Sequence, residues 1–303
     1  MRTAYLGTSE FAAAVLRRLA ASPHRPALVV TPPDRPQGRG RKVAPPPAAE
    51  AAKELGLELA QFETVNDEAA LERIRAARPE AVVVCAFGQL IKEPLLSELP
   101  MINVHPSLLP RWRGAAPIER AMMAGDERTG VTIMRLTEGL DSGPVALQEE
   151  IAVEPGEDFP SLSARLAELG GELVVAALDQ LEKGTIEFTE QDEDGDTYAE
   201  KIDRSERRLD PARPAIELER AVRALAGRVG AYLELEDGER LGVEVATAIE
   251  VGPAQGEIAA DGEALVLGTV EGGLRLDTVK PPGSRAMGAK EFLRGHAPPS
   301  RAA

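Results

Sequence analysis

Over its first 190 residues the chain alternates short apolar runs with amphipathic stretches, and that rhythm admits few folds. Strands are expected at Thr3–Gly7, Ala27–Thr31, Glu58–Gln61, Ala81–Ala86, Met101–His105, Gly130–Leu136 and Val145–Val153, with helices at Glu10–Ala21, Ala48–Gly56, Asp67–Ala77 and Pro160–Glu182. Ala81–Ala86 is apolar at every position, as a parallel strand covered on both faces must be. In the last helix Leu162, Leu166, Leu169, Leu173 and Ala177 fall at helical spacing. Strand–helix alternation of this kind implies an α/β domain around a doubly wound, mainly parallel sheet.

From Thr189 the texture changes. Glu190 to Asp196 is an acidic, turn-rich run that reads as an exposed linker. One helix, Ala215–Ala226, is followed by short β segments at Ala231–Leu235, Leu241–Val245, Gln255–Ala260, Ala264–Leu267 and Leu274–Val279, separated by turns such as Glu236-Asp237-Gly238. Short, evenly spaced strands of this kind suggest a small OB-like β-barrel. The expected organisation is therefore a Rossmann-like domain over 1–189, a linker over 190–205 and a barrel over 206–303.

Bulk properties exclude several classes. A net charge of −15 argues against a protein that coats nucleic acid. A single cysteine, Cys85, inside an apolar strand excludes a disulfide framework and fits a reducing compartment. No apolar run approaches the roughly 20 residues that span a bilayer, and the N-terminus reads as the first strand, so a cytoplasmic protein is expected.

Chemistry concentrates where the fifth expected strand ends. Asn103 and His105 stand two residues apart, on one face, at the carboxyl end where open α/β sheets place their sites. A lone histidine at a strand end is more often structural, but here an amide shares its face and Pro106 stiffens the exit. Asp141 follows the strand Gly130–Leu136, and parallel neighbours would bring their carboxyl ends together, so Asp141 is expected to face His105. Asn103, His105 and Asp141 thus offer an oxyanion donor, a proton acceptor and a carboxylate partner. His24 and His296 are expected to be exposed and too scattered to form a metal site with His105. Gly7-Thr8-Ser9 lacks a full dinucleotide fingerprint, and Ser9 with Glu10 reads as a helix N-cap.

The connection Thr31–Pro47 is much longer than the usual 2–6 residues of a βα loop. Arg35, Arg39, Arg41 and Lys42 against Asp34 give it a local charge of +3 in an acidic chain. It reads as a phosphate-backbone contact in preference to a solvated, disordered loop.

Asn103-Val104-His105, Ser107-Leu108-Leu109-Pro110 with Arg111 to Gly114, and Gly139-Leu140-Asp141-Ser142-Gly143 together resemble the 10-formyltetrahydrofolate-dependent formyltransferases. The basic loop, Ala115–Ile118, Thr129–Met134, Tyr198–Ile202, Pro282–Met287 and Phe292–Gly295 extend the resemblance over nearly the whole chain to members that act on methionyl-tRNA. Two departures stand out. Pro106 occupies a position where many tRNA-acting members carry Gly, and Ala226–Ala231 replaces an aromatic-proline segment.

The resemblance implies formyl transfer to the α-amine of initiator methionyl-tRNA, with 10-formyltetrahydrofolate as co-substrate and no tightly bound cofactor or metal. It assigns catalysis to Asn103, His105 and Asp141. It assigns folate contacts to Ser107, Leu108, Leu109 and Pro110, helped by Phe87, Gly88, Gln89, Leu90 and backbone from Leu136–Leu140. It assigns tRNA contacts to Arg35, Arg39, Arg41 and Lys42, assisted by the C-terminal barrel, in a monomer. The same Asn-His-Asp trio would also suit a sugar-nucleotide or glycinamide-ribonucleotide acceptor, or a formyltetrahydrofolate hydrolase. A non-catalytic tRNA-binding protein would have no reason to keep the trio.

Overall fold

A computed structural model of the chain describes residues 1–37, 42–192 and 194–302. These divide into two compact units, one made of Met1–Pro117, Arg128–Ala152 and Ser163–Ala199, the other of Ile118–Glu127, Val153–Leu162 and Glu200–Ala303.

The first unit runs β1 (Thr3–Gly7), α1 (Glu10–Ala20), β2 (Pro26–Thr31), β3 (Arg35–Gln37), β4 (Lys42–Ala44), α2 (Pro47–Glu54), β5 (Leu59–Gln61), α3 (Glu68–Ala77), β6 (Ala81–Cys85), α4 (Leu95–Glu98), β7 (Met101–His105) and β8 (Arg113–Gly114). After α5 (Pro117–Ala124), which but for Pro117 belongs to the second unit, the first unit resumes with β9 (Arg128–Arg135), β10 (Val145–Ala152), α6 (Phe159–Lys183) from Ser163 onward, and β11 (Tyr198–Ala199). The main sheet has seven strands in the order β10-β9-β7-β6-β1-β2-β5. Strands β5, β2, β1, β6 and β7 are parallel, and β6 is buried at every residue, as its apolar sequence requires. Ser9 caps α1, its Oγ accepting from the Ala12 N–H at 3.3 Å. Gly7 is needed for packing: a Cβ there would lie 2.6 Å from Tyr5 Cε1 and 2.9 Å from Ala12 Cβ.

Three local expectations change. Strand β9 runs antiparallel to β7, pairing Ile102 with Arg135 and His105 with Thr132. Its carboxyl end therefore lies at the start of β7, where Leu136 N–H bonds the Met101 carbonyl at 2.9 Å. Adjacent carboxyl ends are not what brings Asp141 to His105; the loop after β9 turns back toward Asn103. The basic connection is not wholly loop, since β3 and β4 pair as an antiparallel hairpin, Arg35 with Ala44 and Pro36 with Val43. His24, expected exposed, is fully buried, with Nε2 2.9 Å from Asp179 Oδ1 and Nδ1 2.9 Å from the Met1 amine. Its carbonyl also accepts from Thr3 Oγ1 at 2.8 Å, so the turn after α1 is folded inward.

The second unit contains a 3-10 turn at Ser205–Arg207, then α7 (Ala215–Leu225), β12 (Ala231–Glu234), β13 (Arg240–Ile249), β14 (Ile258–Asp261), β15 (Ala264–Gly268), β16 (Gly273–Lys280), β17 (Met287–Gly288) and α8 (Ala289–Gly295). Its antiparallel sheet has the order β12-β13-β16-β15-β14, with β17 added on β16. Residues near the C-terminus close the open side: Ala302 bridges Leu235 just past β12, and Arg301 bridges Glu257 just before β14. Closure removes two free strand edges, as a barrel does. The core draws Leu218, Val222 and Leu225 from α7 against Leu233, Leu241, Val243, Leu265, Leu274 and Leu276 from the strands. Among the described residues no helix is long and apolar enough to cross a membrane.

Candidate active site

Strand β7 fixes the first two groups. All five of its residues are buried, with Asn103 8% and His105 4% exposed. Immediately after it the Ser107 N–H bonds back to the His105 carbonyl at 2.9 Å, a three-residue turn centred on Pro106. Proline's fixed φ of about −65° suits the centre of such a turn, so Pro106 holds the strand exit in place.

The imidazole is oriented by backbone. His105 Nε2 lies 2.9 Å from the Trp112 carbonyl, which can only accept, so the ring hydrogen sits on Nε2. His105 Nδ1 is then the ring atom facing Asp141, 3.6 Å from Oδ2. Asp141 is itself tied by two donors: Asn103 Nδ2 to Oδ1 at 3.3 Å, and the Gly114 N–H to Oδ2 at 2.9 Å. The structure thus brings the three sequence-nominated side chains together, amide and imidazole on either side of one carboxylate.

Backbone strain clusters around them. Among the described residues four non-glycine residues have positive φ, and three lie in the loops after β6, β7 and β9: Ala86 (42°), Trp112 (65°) and Asp141 (47°). Each such conformation costs about 1–3 kcal/mol unless the surroundings impose it, and imposed strain is typical of functional loops. Gly114 has φ 122°, and a Cβ there would lie 2.8 Å from the Ala199 carbonyl oxygen. Trp112 contributes a carbonyl and Gly114 an N–H. Sequence reading missed both because neither acts through a side chain.

The loop Ser107–Pro110 is held from within. Thr132 Oγ1 donates to the Ser107 carbonyl at 2.6 Å and accepts from the Leu109 N–H at 3.2 Å and Gln148 Nε2 at 2.8 Å, which fills its bonding capacity. Ser107 Oγ donates to the Arg111 carbonyl at 2.6 Å. Ser107 and Leu109 are therefore buried shape-setters, whereas Leu108 and Pro110 are half-buried. In the loop after β6, Phe87 is buried and Gln89 Oε1 accepts from the Val65 N–H at 2.8 Å. Gly88 is left-handed, and the Leu90 side chain is 65% exposed. Leu140, beside Asp141, is 61% exposed. Of the basic residues, Arg35 is exposed and paired with Glu63 at 2.8 Å, and Lys42 is exposed on β4. Arg39 and Arg41 lie outside the described residues.

Comparison with known proteins bears on both units. Residues 1–178 match the family model described as Formyl transferase, and residues 201–297 match Formyl transferase, C-terminal domain. The chain is 44% identical over 298 residues to a methionyl-tRNA formyltransferase of Halorhodospira halophila, covering 97% of this chain and 96% of the relative. A methionyl-tRNA formyltransferase of Thermotoga maritima is 39% identical over 298 residues, covering 97% and 95%. Among solved structures, HypX from Aquifex aeolicus in complex with tetrahydrofolic acid superposes with a TM-score of 0.66 at 20% identity, over 97% of this chain; this chain spans about half of it, 48%. The sugar 3N-formyl transferase WlaRD, in the presence of dTDP and 5-N-formyl-THF, gives 0.64 at 12% identity over 94% and 99%. Both are likenesses of fold.

Proposed function

The chain belongs to the formyl transferase family, and from that premise we propose that it transfers the formyl group of 10-formyltetrahydrofolate to the α-amine of methionyl initiator tRNA. The observation that carries the site assignment is the placement of Asp141, 3.3 Å from the Asn103 amide and 3.6 Å from His105 Nδ1.

The amine attacks the formyl carbon and gives a tetrahedral intermediate. Asn103 donates an N–H to the oxygen as it becomes anionic; losing one such donor typically costs about 10²–10³ in rate. His105, when protonated at Nδ1, directs that N–H to the Asp141 carboxylate and lends its positive charge to the developing oxyanion. Asp141 accepts the ammonium proton, directly or through one water, and proton transfer by a positioned group is worth about 10²–10⁴. Collapse of the intermediate breaks the bond to folate N10, which takes up a proton. Leu108, Pro110, Leu90 and the backbone of Gly88 and Leu136–Leu140 line the folate site. Ser107, Leu109, Phe87 and Gln89 hold its loops in shape. The basic connection Arg35–Lys42 contacts tRNA phosphates. The enzyme works as a cytoplasmic monomer without a metal or tightly bound cofactor.

The match to both family segments at close to full length favours this acceptor over glycinamide ribonucleotide or a sugar nucleotide, and favours transfer over folate hydrolysis. The test is formyl transfer to charged initiator tRNA by the wild type, Asn103→Ala, His105→Ala and Asp141→Asn. The wild type should turn over and each variant should lose at least tenfold in kcat. Near-native rates in all three would remove these residues from the mechanism.

A further inference from the structure

The acidic segment after α6 was expected to be an exposed linker, yet much of it is bonded to the two loops that carry the site. Glu190, Asp192, Asp194 and Gly195 are exposed, but Gln191, Asp196, Thr197 and Ala199 are bonded to the loops after β7 and β9. Thr197 Oγ1 accepts from the Trp112 N–H at 2.8 Å, and the Thr197 carbonyl accepts from the Arg113 N–H at 2.8 Å. Strand β11 pairs parallel with β8, Tyr198 with Arg113 and Ala199 with Gly114. The Ala199 carbonyl accepts from both the Ala115 and Ala116 N–H groups, at 2.7 and 3.1 Å. One strand-like segment thus fixes the loop whose Trp112 carbonyl orients His105.

Gln191 extends the same hold to the other loop. Its Nε2 donates to the Asp141 carbonyl and to the Gly143 carbonyl, both at 2.8 Å. Its Oε1 accepts from Arg113 Nε at 3.0 Å and Nη2 at 2.8 Å. Arg113 is only 8% exposed and its third contact is Asp196 Oδ2 at 3.3 Å. The orientation of the amide is settled by its partners, because two carbonyls can meet only the NH2 and a guanidinium only the oxygen. The amide therefore spans the loop after β7, through Arg113, and the loop after β9, through the backbone of Asp141 itself.

That backbone needs holding. Asp141 sits at φ 47°, and a Cβ on Gly143 would lie 2.0 Å from the Arg135 carbonyl oxygen, so the turn is close to its own strand. The left-handed region still costs a non-glycine residue free energy, so fixing the Asp141 carbonyl helps keep the carboxylate turned toward His105. We propose that Gln191, braced by Arg113, is a positioning residue that sets Asp141 against His105 for proton transfer. It touches no reacting atom and acts only through Asp141, so the assignment rests on the function proposed above. A misplacement of about 1 Å at a reacting group can cost on the order of 10²-fold in rate.

The experiment measures formyl transfer to methionyl-tRNA by the wild type, Gln191→Ala, Gln191→Glu, Asp141→Asn and the double variant Gln191→Ala/Asp141→Asn, with melting temperatures alongside. Gln191→Glu keeps the bond to Arg113 but turns lone pairs toward the two carbonyls, so it separates positioning from folding. Both single Gln191 variants should lose roughly 10- to 100-fold in kcat, with KM for folate and for tRNA within about twofold. In the Asp141→Asn background Gln191→Ala should cost less than about twofold more. A kcat near wild type in Gln191→Glu, or a full tenfold loss persisting in the Asp141→Asn background, overturns the assignment. A wild type that forms no formyl-methionyl-tRNA overturns the functional reading and the assignment with it.

Discussion

Replacing Asp141 by Asn and by Ala separates the charge of this residue from the backbone it occupies. Its two carboxylate oxygens accept from Asn103 Nδ2 at 3.3 Å and from the Gly114 N–H at 2.9 Å. Asparagine offers one oxygen and one NH2, so whichever way the amide turns, one of these donors meets another donor. Leaving an N–H unpaired in a site this enclosed costs about 1–3 kcal/mol. Asparagine tolerates φ 47° as readily as aspartate does, so the turn itself is unaffected. Alanine loses both acceptors and adds about 1 kcal/mol for the left-handed conformation. The melting temperature should therefore fall in the order wild type, Asp141→Asn, Asp141→Ala, by about 2–4 °C for each kcal/mol. Activity should behave differently. Both variants remove the carboxylate that faces His105 Nδ1, so kcat in each should drop about 10²–10⁴-fold, with the two within a few-fold of one another. Steady-state transfer assays and thermal melts on the same preparations read both quantities. An Asp141→Asn enzyme keeping more than a tenth of wild-type kcat would refute the proton-handling role. Activities that track the melting temperatures would refute the separation of charge from backbone.

Gly114→Ala puts a Cβ 2.8 Å from the Ala199 carbonyl at φ 122° and displaces an N–H from Asp141, so it should cost at least about 2 kcal/mol in a melt and also slow transfer; wild-type stability would contradict the crowding. Burial pushes the Cys85 thiol up to about 12, so a thiol reagent at pH 8 should label the protein only as it unfolds. Because this thiol holds its proton more tightly when folded, its contribution to stability is complete below about pH 8.5 and is lost as pH rises toward 12. Labelling of the folded protein at pH 8 would contradict the buried placement. Arg35→Ala, Arg39→Ala, Arg41→Ala and Lys42→Ala should each raise KM for tRNA, leave KM for folate unchanged, and lower the salt slope of tRNA binding by about 1. An unchanged slope would remove the basic connection from the tRNA contact.

Legibility in the sequence followed the physical signal available. Ala81–Cys85 could be read as a strand because a segment covered on both faces has to be apolar throughout, and α6 because Leu162, Leu166 and Leu169 repeat at its period. Asn103 and His105 could be paired because strand residues two apart share a face. Asp141 was nominated for a reason that does not hold, since β9 runs antiparallel to β7. Strand direction there is set by the whole excursion through α5, which carries no local signature of the way the chain returns. His24 looked exposed because a Ser-Pro turn usually is; its burial depends on Asp179, distant in sequence. Gln191 and Thr197 were hidden in a run whose charge is what an exposed linker would show, while their bonds go to backbone atoms that no pattern of side chains reports.

The central claim is that an activated formyl group passes to an amine carried on tRNA, and a partition experiment tests it most directly. The enzyme in excess is given 10-formyltetrahydrofolate labelled in the formyl carbon, with and without charged initiator tRNA, and the label is counted as formyl-methionyl-tRNA and as free formate. Nearly all of the label should appear on methionyl-tRNA when the acceptor is present, with little formate released when it is absent. Formate released at the same rate with and without acceptor, and no label on tRNA, would contradict transfer and leave hydrolysis in its place.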